Sequence, residues 1–318
     1  MQIVHFSDLI QIVRIYGPQW HPDKEYNIDL RTLLGIQEEL ECLDSLIGLS
    51  KFKNSILDQL LYFLQNLHVD GQDSDFLHTI LCGPPGTGKT EIAKILGKMY
   101  SKIGILKNGT FKKVTRSDLI GGYLGQTAIK TTKVIQESLG GCLFIDEAYS
   151  LANKESSSQS DSYSKECLDT LCEALSDHKA NLMVILAGYE NDLQETIFRA
   201  NRGLESRFIW RFVLDDYSAK ELLEIFIKKV HDNRWQTAED FPGVPWFEKR
   251  KTDFPHFGRD MELLFSYTKC CHGRRIYGQC DPQIRKRLSL LDVTQGYEML
   301  LSNRRRKKET YEIPGFYV

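Results

Sequence analysis

At 318 residues, with 42% apolar and 26% charged side chains, the chain has room for about two domains and for a core that needs no disulfide staples. A net charge of −2 implies no polyanionic or polycationic partner on charge alone. No stretch approaches the ~18 apolar residues of a membrane span, and the start "MQIVHFSDLIQIVRIYG" lacks the basic beginning, apolar block and cleavage site of a signal peptide. The eight cysteines form no disulfide framework, so a reducing, cytoplasmic setting is expected. Cys270, Cys271, His272 and Cys280 invite a zinc reading, but their spacing matches no standard pair of pairs, and packing is expected instead.

Residues 1–40 read as irregular, broken by "GPQWHPDK". A helix follows, with Phe52, Ile56, Leu60 and Phe63 on one face, then a polar loop at 70–75. An apolar strand leads into "GPPGTGKT" and a helix aligned on Ile92, Ile95, Leu96 and Met99. "GTFKKVTRSDLI" reads as strand then turn, "TAIKTTKVIQESL" as helix, and "GCLFIDEAYSL" as a buried strand ending in acids. After the flexible "ESSSQSDSYS" come a helix with Leu168, Leu171, Cys172 and Leu175 on one face and the strands of "ANLMVILAGY" and "RFIWRFVL". Strands alternating with helices to about residue 215 predict an α/β fold, a parallel sheet flanked by helices. Beyond it Ser218 and Glu221 form a capping box before "LLEIFIKKV". A proline-containing loop and two further helical segments complete a smaller α-helical domain, and "RRRKK" at 304–308 opens a loosely ordered tail. The expected division is 1–43 as an N-terminal extension, 44–215 as the α/β domain, 216–303 as the helical lid and 304–318 as the basic tail.

"GPPGTGKT" satisfies G-x-x-x-x-G-K-[ST], between a strand and a helix as that motif requires. Gly83, Gly86 and Gly88 let the backbone curl, with Pro84, Pro85 and Thr87 between them, so that successive N–H groups converge on an anion at the helix's positive end. Lys89 is placed to reach β- and γ-phosphates, and the Thr90 hydroxyl to bind Mg²⁺. Asp146 and Glu147 emerge from a buried strand, where adjacent carboxylates are costly without a cation. A Mg²⁺–nucleotide site removes that cost, with Asp146 holding the metal through its waters and Glu147 polarising the attacking water.

From about residue 44 to 235 the chain resembles AAA+ ATPases, and more narrowly the branch of CbbX and stage V sporulation protein K. The resemblance rests on "LIGL", "GPPGTGKT", "VTRSDLIGGYLGQTAIKTTKV", "GGCLFIDEAYSL", "VILAGYENDLQETI" and "NRGLESRF", in family order. It implies a P-loop NTPase fold, Mg-ATP hydrolysis and assembly as a homo-oligomeric ring, by the family pattern a hexamer. It implies that Arg207, the arginine of "SRF" with Arg199 and Arg202 nearby, reaches the nucleotide of a neighbouring subunit. It implies that Arg259 is a second sensor reaching the γ-phosphate from the lid. An arginine in a helix's first turn opposes the helix dipole and so suggests a partner anion; a solvated arginine offset by Asp260 is the alternative. Tyr123, with Leu124 beside it, matches the aromatic pore loop that grips polypeptide, and a tyrosine buried in a tight turn is the alternative. "NKESSSQSDSYSK" reads as a second pore loop on composition alone. Tyr189 and Asn191 are both open as the first sensor, because "LAGYEND" departs from the Thr-Asn of other branches. The expected activity is remodelling of a protein client. The rival is a nucleic-acid motor or clamp-loader-like ATPase, for which "RRRKK" and "KCCHGRR" speak.

Overall fold

The computed structural model describes residues 3–69, 75–123, 125–152, 160–279, 281 and 284–311. By internal contacts the chain divides into two units, one running to Asp215 without residues 85–87, the other formed by residues 85–87 and the chain from Asp216.

The first unit opens on three helices, α1 (Phe6–Tyr16), α2 (Leu30–Gly35) and α3 (Gln37–Asp44). This corrects the irregular reading of residues 1–40. Phe6, Leu9, Ile10 and Val13 follow helical spacing and are buried, and the Asp8 carboxylate accepts from the amides of Val4 and His5, both at 2.8 Å. Asp29 caps α2 by accepting from the Thr32 amide at 3.0 Å. The prolines of "GPQWHPDK" interrupt only the stretch between α1 and α2. α4 (Ser50–Leu64) then buries Phe52, Ile56, Leu60 and Phe63 on one face, as their spacing predicts.

The rest of this unit alternates strand and helix: β1 (Thr79–Cys82), α5 (Lys89–Ile103), β2 (Phe111–Val114), α6 (Arg116–Leu119), α7 (Gln126–Gln136), β3 (Cys142–Ile145), α8 (Ser160–Asp177), β4 (Met183–Gly188), α9 (Glu190–Leu193), α10 (Arg202–Glu205) and β5 (Trp210–Val213). The five strands pair in parallel in the order β2-β3-β4-β1-β5. β1, β3 and β4 are buried throughout, which explains their near-continuous apolar sequences, while the edge strands β2 and β5 are mixed. Leu143, Ile145, Val184 and Leu186 join a core with Val134 and Ile135 of α7 and Leu168, Leu171 and Leu175 of α8. The alternate side chains face α5, where a Cβ on Gly97 would lie 3.2 Å from the Cys142 Cβ. Of "NKESSSQSDSYSK", the second pore-loop reading, residues 153–159 lie outside the described residues and the remainder opens α8.

His78, just before β1, is fully buried and ties two elements together. Its Nδ1 accepts from the Val184 amide, and its Nε2 donates to the Leu175 carbonyl, both at 3.2 Å. Burial first, and the charge of Arg207 second, push its pKa down to about 4, outweighing the Leu175 bond that raises it. The unfolded chain therefore takes up a proton near pH 6.5 that the fold refuses until about pH 4. Stability contributed here is full above pH 6.5 and falls with pH across that window, by on the order of 3 kcal/mol. Denaturant unfolding between pH 7 and pH 4.5 should show this slope, and His78→Gln should flatten it; an unchanged slope would remove His78 as its source.

The second unit contains α11 (Ala219–Asp232), β6 (Gln236–Thr237), α12 (Val244–Glu248), α13 (Phe257–Ile276), β7 (Arg287–Leu288) and α14 (Leu290–Tyr311). The capping box read at Ser218 is present, Glu221 accepting from the Ser218 amide at 2.6 Å. Two readings are corrected here. The proline-containing loop holds α12, with Pro245 in the first turn where its missing N–H costs nothing. The basic run at 304–308 lies on α14, because arginine and lysine are good helix formers and the helix does not end at Ser302. α13 and α14 pack closely: a Cβ on Gly296 would lie 2.7 Å from the Thr268 amide nitrogen. The buried Asp292 joins them, accepting from Arg275 Nε at 2.8 Å and lying 3.0 Å from His272 Nδ1. His272 Nε2 is 3.1 Å from the Arg285 carbonyl, so both ring nitrogens of the zinc reading are engaged, and Cys280 lies outside the described residues. Among the described residues no helix is long and apolar enough to cross a membrane.

Candidate nucleotide site

Two strands of the sheet deliver the candidate chemistry at their carboxyl ends, where parallel α/β sheets open toward ligands. From β1 the chain enters the glycine loop, whose base is fixed by the Gly83 amide donating to the Gly188 carbonyl at the end of β4, 3.1 Å. Gly86 and Gly88 take φ values of 81° and 92°, a region that side chains with a Cβ resist. Gly88 then starts α5, accepting from the Ile92 amide at 3.0 Å. Lys89 curls back over the loop and donates to the carbonyls of Gly83 at 2.7 Å and Pro84 at 2.8 Å. Its ammonium also stands 6.0 Å from the ring centre of Tyr189, one of the two first-sensor candidates. That ring is 6.0 Å from Tyr149, next but one to Glu147, whereas Asn191 lies on α9. Thr90 is partly buried in the first turn of α5.

The acidic pair leaves β3. The Asp146 amide donates to the Val114 carbonyl of β2 at 3.0 Å, and one Asp146 oxygen accepts from the Glu147 amide at 3.1 Å. The other is 2.7 Å from Lys113 Nζ. Sequence reasoning missed Lys113, since it is 33 positions away and only the parallel β2–β3 register sets it beside the strand end. Glu147 is exposed, with a φ of 49°, a left-handed backbone that costs a non-glycine residue about 1 kcal/mol or more. The Asp146 carboxylate and Thr90 hydroxyl are hard oxygen donors of the kind Mg²⁺ takes alongside waters and phosphates, and Asp146 already draws a cation. The donor set therefore fits the metal.

The remaining residues lie elsewhere. Arg207 precedes β5, and because Thr79 pairs with Trp210, it sits at the amino end of the strands, opposite to where the glycine loop leaves them. Its guanidinium folds onto its own chain: Nε donates to Ser176 Oγ at 2.7 Å and Nη1 donates to the Gly203 carbonyl. Arg199 and Arg202 are exposed. Tyr123 is 73% exposed, so it is not the buried tyrosine of the alternative reading. Its turn is held by the Gly121 amide donating to Thr127 Oγ1 at 3.1 Å. Leu124 lies outside the described residues. In the second unit, Arg259 is exposed in the first turn of α13. Asp260 does not offset it, since that carboxylate is buried and bound to Arg304.

Comparison with known proteins agrees with this arrangement. Residues 79–211 match the ATPase family associated with various cellular activities (AAA). The chain is 38% identical over 286 residues to a cfxQ-like protein of Acanthamoeba polyphaga mimivirus, covering 89% of this chain and 68% of that one. It is 35% identical over 247 residues to protein CbbX of Cereibacter sphaeroides, covering 74% and 78%. A point variant of Thermotoga maritima RuvB shares the fold, with a TM-score of 0.55 and 21% identity over 81% of this chain and 72% of that one. Strand order, loop and sequence relationship together place the chain in the AAA family of ATP-hydrolysing P-loop enzymes, in the branch to which CbbX and the cfxQ-like proteins belong.

Proposed function

We propose that this ATPase works as a homo-oligomeric ring, a hexamer, that remodels a protein client in the cytoplasm. Mg²⁺, when bound, would neutralise charge on the β- and γ-phosphates. Residues 83–90 would cradle the triphosphate, Lys89 would contact its β- and γ-oxygens, and Thr90 and Asp146 would hold the metal. Glu147 would orient the attacking water. Arg207 would complete the site of the next subunit, and Arg259 would sense the γ-phosphate. The expected divisions at 43/44 and 215/216 serve as the proposed domain boundaries; the one expected at 303/304 falls inside α14 and is not kept.

The observation that carries this reading is the position of Arg207. It lies at the end of β5 away from its own glycine loop, so a neighbouring chain is the natural recipient of its charge. The exposed Tyr123, in a turn bounded by Gly121, Gly122 and Gly125, supports a polypeptide grip, with Leu124 as its companion. The nucleic-acid alternative draws less support. Within "KCCHGRR", Arg275 is engaged by Asp292, His272 is buried, and Lys269 lies 4.5 Å from the ring centre of Phe265.

The test is ATPase activity with a permanently unfolded polypeptide, duplex DNA or single-stranded RNA. The unfolded chain should stimulate turnover several-fold, and Tyr123→Ala should lower that stimulation about tenfold, in line with an aromatic hot spot worth about 1.4 kcal/mol. Salt-sensitive stimulation by nucleic acid alone would overturn the proposal.

A further inference from the structure

Within the second unit, α14 does more than pack against α13. The segment Asp253–Asp260, which runs into α13 and carries Arg259, is held by side chains of α14 at several points. Arg304 Nη2 donates to the Asp260 carboxylate, and its Nη1 donates to the Asp253 carbonyl. Tyr297 donates its hydroxyl to the Asp253 carboxylate at 2.6 Å. Arg250 lies against this join, 4.4 Å from the Trp246 ring centre and 5.1 Å from that of Tyr297. Asp260 is fully buried, and its second oxygen accepts from the His256 amide at 2.8 Å, closing the turn before the helix.

Between these points the backbone takes an unfavourable form. Phe257 has a φ of 40°, uncommon for a bulky residue, and its side chain is buried. Such a conformation costs about 1–3 kcal/mol and persists only where its surroundings over-determine it. Arg304 supplies two of those constraints with one planar fork, which lysine's single ammonium reproduces poorly. Directly between the strained Phe257 and the anchored Asp260 stands Arg259, whose own side chain is exposed.

We propose that Arg304 is a positioning residue for Arg259: by clasping Asp260 and the Asp253 carbonyl, it fixes the first turn of α13 and so the direction of the Arg259 side chain. This rests on the reading of Arg259 as the γ-phosphate sensor. It makes α14, with its basic continuation, part of the ATPase machinery rather than a peripheral helix.

A double-mutant cycle on the full chain tests it. Turnover and Mg-ATP affinity are measured for wild type, Arg304→Ala, Arg259→Ala and the double variant. Arg304→Ala alone should lower turnover about five- to tenfold. In the Arg259→Ala background the same change should have little further effect, because the side chain it aims is gone. Arg304→Lys should recover part of the loss, and it carries the same cycle should Arg304→Ala fail to fold. Effects that multiply across the cycle would overturn the positioning role while leaving the sensor reading standing. A wild-type turnover in Arg259→Ala would overturn both.

Discussion

Glu147→Gln is expected to lower ATP turnover by about 10²–10⁴-fold while nucleotide binding persists. The substitution keeps the size of the side chain and removes only its charge. The left-handed backbone at Glu147 and the hydrogen bond its amide donates to the Asp146 carboxylate remain available to glutamine, so the strand end should keep its shape. A change in turnover then reports the carboxylate itself. Single-turnover hydrolysis alongside binding of a fluorescent ATP analogue separates the two quantities. Turnover at the normal rate would remove Glu147 from the catalytic assignment. Equal loss of binding and hydrolysis would place it instead in nucleotide recognition.

Arg207→Ala is expected to lower turnover about 10³-fold or more, the scale seen where an arginine is supplied in trans to other phosphoryl-transfer sites. The informative measurement is a mixture. Subunits carrying Arg207→Ala retain Glu147, and subunits carrying Glu147→Gln retain Arg207. If the arginine serves a neighbour, mixing two nearly inactive preparations restores hydrolysis at the shared boundaries. If it serves its own chain, mixing restores nothing. Within one chain the guanidinium is held by Ser176 and Gly203, so it is presented from a fixed base and not from a free loop end.

The glycine loop and the Asp146–Glu147 pair were legible because each is contiguous, and because burial makes its own demand on sequence. A strand covered on both faces must be apolar along its length, so β1, β3 and β4 announced themselves, and the polar residues at their ends stood out. The amphipathic helices α4, α5 and α8 were legible for a similar reason. What escaped depended on partners distant in sequence. Lys113 sits in a strand that reads as an ordinary edge, and only the register with β3 brings it to Asp146. α1 is short, and its cap comes from Asp8 reaching back to Val4 and His5, a pattern masked by the prolines downstream. The basic run on α14 has no apolar period to mark it as helix, and its first arginine finds its acid 44 positions earlier. In the sequence Arg207 rests on resemblance alone, and its location at the amino end of the sheet depends on the pairing of β5 with β1.

The ammonium of Lys113 on Asp146 would separate folding from the proposed metal loading, two events that are fused in many small metalloproteins. A chain that folds only around its ion is undone by a chelator. Here the strand end carries an internal counter-ion, supplied by the adjacent strand, so its negative charge is balanced as soon as the sheet forms. On the proposed reading of Asp146 as the metal-holding carboxylate, a divalent ion would exchange with that ammonium on an already formed sheet, and repeated filling and release would not cost the α/β unit its fold.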